Sequence, residues 1–261
     1  MPIGCCDLTS ETCGPNWTWS CPTSATPAEL WISAKPRPAV HMVGMVNLLD
    51  VAAELFLGTR CLGCDAVARV LCPACLAAIA EEPMPVTRPG LEIPIVAANH
   101  YRAPTSRLVV AYKNRPALHA ERLLLARLQL AIEALAVPRN AIIVPMPSRP
   151  AMVRQRGVDH ARRLAKGAAA RLGYRWAPLL RRHGRAGQRG LSRQQRVENL
   201  AHTMTASSWG GPVIVVDDVV TTGASLAEAV RALRAAGGEP YGAAVIGHAP
   251  GKLCPAAAYS E

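Results

Sequence analysis

The sequence predicts an α/β protein: a mostly parallel sheet covered by helices on both faces, preceded by a small four-cysteine zinc knuckle. Three observations carry that expectation. Apolar strand-like runs alternate with helical patterns from residue 91 to residue 250, the order that builds crossover-connected parallel sheets. The run 213-VIVV-216 is apolar without alternation, as a strand buried on both faces should be. Two Cys-x-x-C pairs, Cys61 with Cys64 and Cys72 with Cys75, are separated by seven residues, so that four sulfurs can converge on one ion.

In chain order, residues 1–44 stand apart: Cys5, Cys6, Cys13, Cys21, Trp17, Trp19 and Trp31 occur there without a periodic apolar pattern. Their cysteine spacing matches no metal site. The segment is expected to be a poorly ordered extension, or to lie upstream of a natural start at Met42 or Met45. Residues 45–83 form the next unit, a helix over 46–56 followed by the knuckle. Because Cys61, Cys64, Cys72 and Cys75 would fill all four positions of a tetrahedral zinc, the ion is expected to be structural; a pair of redox dithiols is the alternative. A short helix over 76–82 follows, and Pro83, Pro85 and Pro89 mark the crossing into the main domain, residues 91–250.

Within that domain, 91-LEIPIVAANHY-101 reads as a strand interrupted by proline and therefore at an edge. Helices are expected over 104–113 and 117–135, the second with Leu123, Leu124, Leu128 and Leu135 at core-facing spacing. A short strand within 141–150 is stopped by prolines, with Ser148 and Arg149 at its polar end. A helix over 157–173 closes at Gly173, and a strand follows over 176–180. The stretch 181-RRHGRAGQRG-190 is expected to be an exposed mobile loop, before a helix over 192–200 capped by Ser192. After the strand at 213–216, a helix over 225–236 ends at Gly237 and Gly238, the last strand spans 241–249, and residues 251–261 form a frayed tail.

The net charge of +11 is uneven. Residues 144–209 carry thirteen Arg and one Lys against one Asp and one Glu, a balance of +12, whereas residues 1–50 carry two basic and four acidic groups. Such a field suits a small polyanion or nucleic acid, although one Phe and five Tyr offer few stacking platforms for single strands. No run approaches the ~20 apolar residues of a membrane span, and no basic-apolar leader is evident, so no membrane insertion and a cytoplasmic location are expected. Neither Gly-x-Gly-x-x-Gly nor Gly-x-x-x-x-Gly-Lys-Ser/Thr occurs, which argues against dinucleotide-dependent dehydrogenases and P-loop ATPases.

The chemistry concentrates in 213-VIVVDDVVTTGAS-225. A buried strand ends on Asp217 and Asp218, at the sheet edge where α/β proteins bind ligands. Thr221, Thr222 and Ser225 then surround the start of a helix, whose free amides can hold a phosphate. Two adjacent anions repel unless hydroxyls, a metal or a cation satisfy them. A sugar diol beneath a phosphate suits both halves. Helix capping is the plainer alternative, but it accounts for one carboxylate and leaves its neighbour unexplained.

This stretch resembles the phosphoribosyl pyrophosphate signature of type I phosphoribosyltransferases: four apolar residues, two acidic, two apolar, then Thr-Thr-Gly. The chain is more narrowly similar to the competence protein F (ComF) family. The knuckle at 61–75, Tyr112-Lys113, Val144-Pro-Met-Pro, Arg156-Gly157, the Arg181–Gln188 run, and Arg196 with Asn199 carry that similarity over about residues 46–249. The resemblance implies a Rossmann-like fold in which Asp217 and Asp218 meet the ribose hydroxyls and the loop Thr221, Thr222, Gly223, Ala224 and Ser225 holds the 5'-phosphate. It places the pyrophosphate near Ser148 and Arg149, with Mg²⁺ bridging ribose and diphosphate, under a closing loop at 183–190. Lys113, Arg149, Arg185 and Arg189 are the candidate cationic partners of the leaving group. One departure stands out: Val158, Asp159 and His160 follow Arg156-Gly157 where the family carries an aromatic, Asn and Gln. Three functional readings follow: transfer of phosphoribose to a nitrogenous acceptor, a sugar-phosphate-binding module without transfer, and a DNA-uptake accessory contacting single-stranded DNA or DNA-processing proteins. A homodimer is compatible with each.

Overall fold

A computed structural model describes residues 60–68, 70–114, 118–183 and 203–249. The expected extension at 1–44, the helices over 46–56 and 192–200 and the tail at 251–261 lie outside the described residues. The elements run α1 (Pro73–Ala78), β1 (Met84–Pro85), β2 (Ile95–His100), α2 (Thr105–Asn114), α3 (Leu118–Ala134), β3 (Ile142–Pro145), α4 (Pro150–Arg156), α5 (His160–Leu172), β4 (Arg175–Trp176), β5 (Leu180–Arg182), β6 (Met204–Ala206), β7 (Pro212–Val220), α6 (Ala224–Ala235) and β8 (Glu239–His248).

Six strands form one mixed sheet in the order β1-β2-β8-β7-β3-β4, and β5 pairs with β6 in a separate two-stranded sheet. The β2–β8, β7–β8, β3–β7 and β3–β4 pairs are parallel, whereas β1–β2 is antiparallel. The period of two along each strand divides the interior. Ile143, Ile214, Val216, Ala244 and Ile246 face Leu108, Leu124, Leu128 and Leu164 of α2, α3 and α5. Ile142, Val144, Val213, Val215 and Val245 face Leu226, Val230 and Leu233 of α6, with Leu180 and Met204 of the small sheet. A sheet covered on both faces needs strands apolar at every position, which is why 213–216 lacks alternation.

Several expectations are corrected. The strand at 95–100 is not an edge: Pro94 precedes it, and the Pro94 carbonyl accepts from Ala243 N at 2.9 Å. The edge is β1, formed by the proline cluster that had suggested a linker, since a two-residue edge strand tolerates proline. The run 176–180 divides between β4 and β5 in different sheets. Arg181 and Arg182 are not loop but part of β5, registered with Thr205 and Met204 of a strand the apolar pattern had not suggested. The helix expected over 157–173 starts later, after Asp159, whose side chain accepts from Arg162 N, and is preceded by a short helix the pattern had not suggested, α4, which ends at Gly157 (φ 72°). Gly173, at φ 73°, closes α5 as expected. The post-knuckle helix starts earlier, at Pro73 between the cysteines of the second pair.

The knuckle segment is tied to the sheet by one buried polar cluster. Asn99 on β2 is fully buried; its amide donates to Ile79 O (2.7 Å) and its Oδ1 accepts from Arg127 Nε of α3 (2.9 Å). The same guanidinium donates to Ala98 O (2.7 Å) and to Glu81 O. An Asn99→Leu change would leave Arg127 Nε and the Ile79 carbonyl unpartnered, at a cost of about 2–4 kcal/mol. The expected readout is a lower urea midpoint at unchanged m-value.

Candidate functional site

Strand β7 lies inside the sheet between β3 and β8, and it continues to Val220, so Asp217 and Asp218 sit within the strand rather than at its end. Its neighbours are unequal in length. β8 accompanies it as far as Val220↔His248, whereas β3 pairs no further than Pro145↔Val216. Past Val216 the β3 side is open, at the carboxyl ends of parallel strands where ligands bind in such sheets.

Alternation along β7 sends the two carboxylates to opposite faces. Asp218 points toward the α2 face and ion-pairs with Lys113 in the last turn of that helix. Asp217 belongs to the α6 and small-sheet face, and its Oδ1 accepts from Asp218 N at 2.8 Å. Burial raises the Asp217 carboxyl well above the usual carboxylate range, and repulsion from Asp218 adds to the shift. On this second face Arg182 of β5 carries a buried Nε with no hydrogen-bond partner among the described residues. Burial and the nearby Arg149 lower the Arg182 pKa, while Asp217 and Glu228 pull it the other way.

After β7 the chain turns through Thr221 and Thr222, both exposed, to Gly223. Gly223 precedes α6 at φ 82°, and a Cβ there would come within 3.0 Å of Leu91 and 3.1 Å of Arg88. Both the conformation and the space require glycine. Gly223, the residue at the N-cap of α6, has no side chain to cap it; Thr222 Oγ1 accepts from Ala224 N at 3.4 Å, and Ala224 and Ser225 lie half-buried at this turn. Arg88 braces the loop from outside: its Nε donates to Thr221 O (2.5 Å), and its Nη2 meets His248 Nδ1 (2.6 Å) and Ala249 O (2.9 Å).

The structure therefore gathers Asp217, Asp218, Lys113 and the loop Thr221–Ser225 at one edge of the sheet, with Arg149 reaching Arg182 electrostatically at the start of α4. Ser148 is placed differently from the other candidates, since its hydroxyl donates to Asp159 Oδ1 (2.9 Å) and orients the cap of α5. Arg185 and Arg189 lie outside the described residues. Sequence reasoning missed Arg88 and Arg182. Arg88 sits between two prolines, 133 residues before the carbonyl it binds, and no local pattern announces it. Arg182 stands in a basic run whose members look alike until β5 orients one of them inward.

A second centre is formed by Cys61, Cys64, Cys72 and Cys75, whose sulfurs all lie within 4.8 Å of one another. Tetrahedral zinc thiolates need sulfur separations of about 3.8 Å, so the cluster is able to chelate a metal. Although burial works against it, amide donation from Cys72, Cys64 and Gly63 holds the Cys61 thiol at about 6. Burial pushes Cys75 up to about 12, with the neighbouring sulfurs adding to it. A cation among the sulfurs would remove that opposition.

Residues 158–255 match the family model described as a phosphoribosyl transferase domain. An orotate phosphoribosyltransferase of Pyrobaculum calidifontis is 48% identical over 62 residues, 24% of this chain, and the chain spans 29% of that relative's length. Among solved structures, the orotate phosphoribosyltransferase of Aeropyrum pernix is similar at a TM-score of 0.33 and 19% identity, over 56% of this chain and 78% of that one. The adenine phosphoribosyltransferase of Rhodothermus marinus is similar at a TM-score of 0.33 and 16% identity, over 68% and 97%. No helix among the described residues is long and apolar enough to cross a membrane.

A buried carboxyl with a raised pKa binds its proton more tightly in the folded state. Its contribution to stability is present below the unfolded carboxylate pKa and is lost as pH rises through the folded value. Without divalent cations, melting temperature should therefore fall across that window. Asp217→Asn, which keeps the acceptor for Asp218 N, should flatten that part of the slope in melts recorded from pH 4 to pH 9.

Proposed function

With an α/β type I phosphoribosyltransferase-like fold as the premise, we propose that this protein binds phosphoribosyl pyrophosphate with Mg²⁺ and transfers its phosphoribose to a nitrogenous acceptor. The observation that carries the reading is the pairing of Asp217 and Asp218 with the left-handed Gly223 turn into the start of α6. The carboxylates hold the ribose hydroxyls. The loop amides of Thr221 to Ser225 hold the 5'-phosphate, aided by the helix dipole.

Transfer breaks the bond between ribose C1 and pyrophosphate oxygen, so positive charge develops on the ring and negative charge on the leaving group. No protein nucleophile is needed. Lys113, Arg149 and Arg182 border this edge and stabilise the departing charge, and Arg182 does so with a donor that has no hydrogen-bond partner among the described residues. The donor set fits Mg²⁺: Asp217 and Asp218, with a single lysine ion pair between them, would hold a hard cation through their oxygens, and when bound it would supply positive charge to stabilise the leaving group. Arg88 keeps the phosphate loop in place through Thr221 O. The four-cysteine centre takes structural zinc in this reading, and together with Lys113 and the Asp217-Asp218 motif it supports the narrower placement in the competence protein F family.

Calorimetric titration with phosphoribosyl pyrophosphate and Mg²⁺ should give saturable binding that weakens at least about 100-fold when Asp217 and Asp218 are both changed to Asn; no binding to the unaltered protein would overturn the reading. Pyrophosphate release across a panel of nitrogenous bases separates transfer from binding alone. For the knuckle, thiol modification should release about one zinc per chain, and prolonged chelation should lower the melting temperature without abolishing sugar-phosphate binding at low temperature.

A further inference from the structure

Beside the carboxylates, on the α2 face, lies a cleft of about 430 Å³, within the range of about 300–1,000 Å³ that small-molecule sites occupy. Met152, Val158 and Tyr112 supply its apolar lining, and Lys113, Arg156 and His160 its polar groups. Four elements converge here: the end of α2, the first turn of α3 with Glu121, the short helix α4 with the Gly157 turn, and the start of α5. Val158 and His160 belong to the stretch where the chain departs from the family pattern.

The charges in the cleft balance except at one position. Arg163 is paired with Glu121 at 2.6 Å, and Lys113 is paired with Asp218. Arg156 is half-buried and has no hydrogen bond or ion pair among the described residues. One positive charge is therefore left without a partner in a partly desolvated site, where an unpaired ion is costly. His160 is seated edge-on against Tyr112, ring centroids 4.7 Å apart at 83°. Burial, followed by the charge of Arg156, holds His160 below its ordinary pKa, so the imidazole offers a neutral hydrogen-bonding group.

We infer that this cleft is the acceptor subsite, and that its occupant is a nitrogen heterocycle carrying one carboxylate. The inference rests on the transferase reading above. A single carboxylate matches Arg156, the guanidinium left unpaired among the described residues of the cleft, which binds it through two parallel N–H donors, whereas a dianion would exceed the available charge. The heterocycle body lies among Met152, Val158 and Tyr112, with a ring nitrogen held by His160. Lys113 lines the cleft and also pairs with Asp218, so the cleft is one side chain from the carboxylates that hold the donor ribose. In the transfer, the lone pair of a ring nitrogen forms the bond to ribose C1. The C1–O bond breaks with its electron pair leaving on pyrophosphate, and any proton displaced from the ring nitrogen passes to solvent.

The test uses matched probes that differ in the acid: nicotinate against nicotinamide, and orotate against uracil. Each is titrated into the full-length protein, with and without phosphoribosyl pyrophosphate and Mg²⁺. At least one acid should bind about tenfold or more tightly than its uncharged counterpart. That preference should vanish in Arg156→Gln and return in part in Arg156→Lys, with melting temperatures confirming that both variants fold. Equal binding of acid and neutral probes, binding of neither, or an acid preference that survives Arg156→Gln would overturn the inference. Binding of phosphoribosyl pyrophosphate, measured in parallel, separates the two proposals. If it persists while the acid preference is absent, the cleft inference alone fails; if it is absent, the acceptor assignment falls with the transferase reading.

Discussion

Two carboxylates on consecutive residues of a buried parallel strand impose the constraint around which this protein is arranged. Successive side chains on a strand diverge to opposite faces, so the ion pair made by one carboxylate leaves its neighbour to be met from the other side. Lys113 in the last turn of α2 answers Asp218 on one face, and β5 brings Arg182 near Asp217 on the other. The shortfall is still evident in the raised pKa of Asp217. A site that stores unfavourable charge in this way is prepared for a ligand that relieves it.

Neighbouring features convert that charge into a shaped site. β3 stops opposite Val216 while β8 continues to Val220, and the unequal lengths open one side of β7. At the end of the same strand Gly223 takes a left-handed turn in a space with no room for a side chain, which carries the chain into α6. Arg88 spans from the β1 edge to Thr221 and the end of β8, so the edge strand and the loop after β7 are linked. Buried polar groups of this kind are individually costly unless fully partnered, and Arg88, Asn99 and Arg127 are well supplied with partners. Arg156 is not, which is the physical ground for giving the adjoining cleft a ligand.

The knuckle also acts on the fold. Its exit segment meets the sheet through the Ile79 and Glu81 carbonyls, both held by Asn99 and Arg127, and Arg107 of α2 donates to Gly63 O at 2.8 Å. Gly63 itself lies so close to Pro104 and Cys75 that a Cβ would fall within 2.7 Å of both. A metal holding the four sulfurs would therefore stiffen the chain just ahead of α2, the helix that presents Lys113 to Asp218.

What the sequence determined by itself was everything local. The uninterrupted apolar run of 213–216, the leucines of α3, the closing Gly173 and the two Cys-x-x-C pairs each express a preference contained within a few residues, and each appears in the fold as expected. The carboxylate pair and the Thr-Thr-Gly loop were legible for the same reason, because a strand, a turn and a helix start follow one another without interruption. Decisions that depend on partners distant in the chain were left to the tertiary structure. β2 lost its edge position to a two-residue strand, Met84–Pro85, within the proline-rich stretch. Arg182 turned inward because β6 paired with β5. Arg88 reached Thr221 across the sheet, and Ser148 was drawn to Asp159 by the start of α5. A side chain's local sequence sets which conformations are inexpensive, whereas its burial and its counter-charge are fixed by the elements that pack against it. For Asp217, Arg182 and Arg156 those elements are known only once the sheet is assembled.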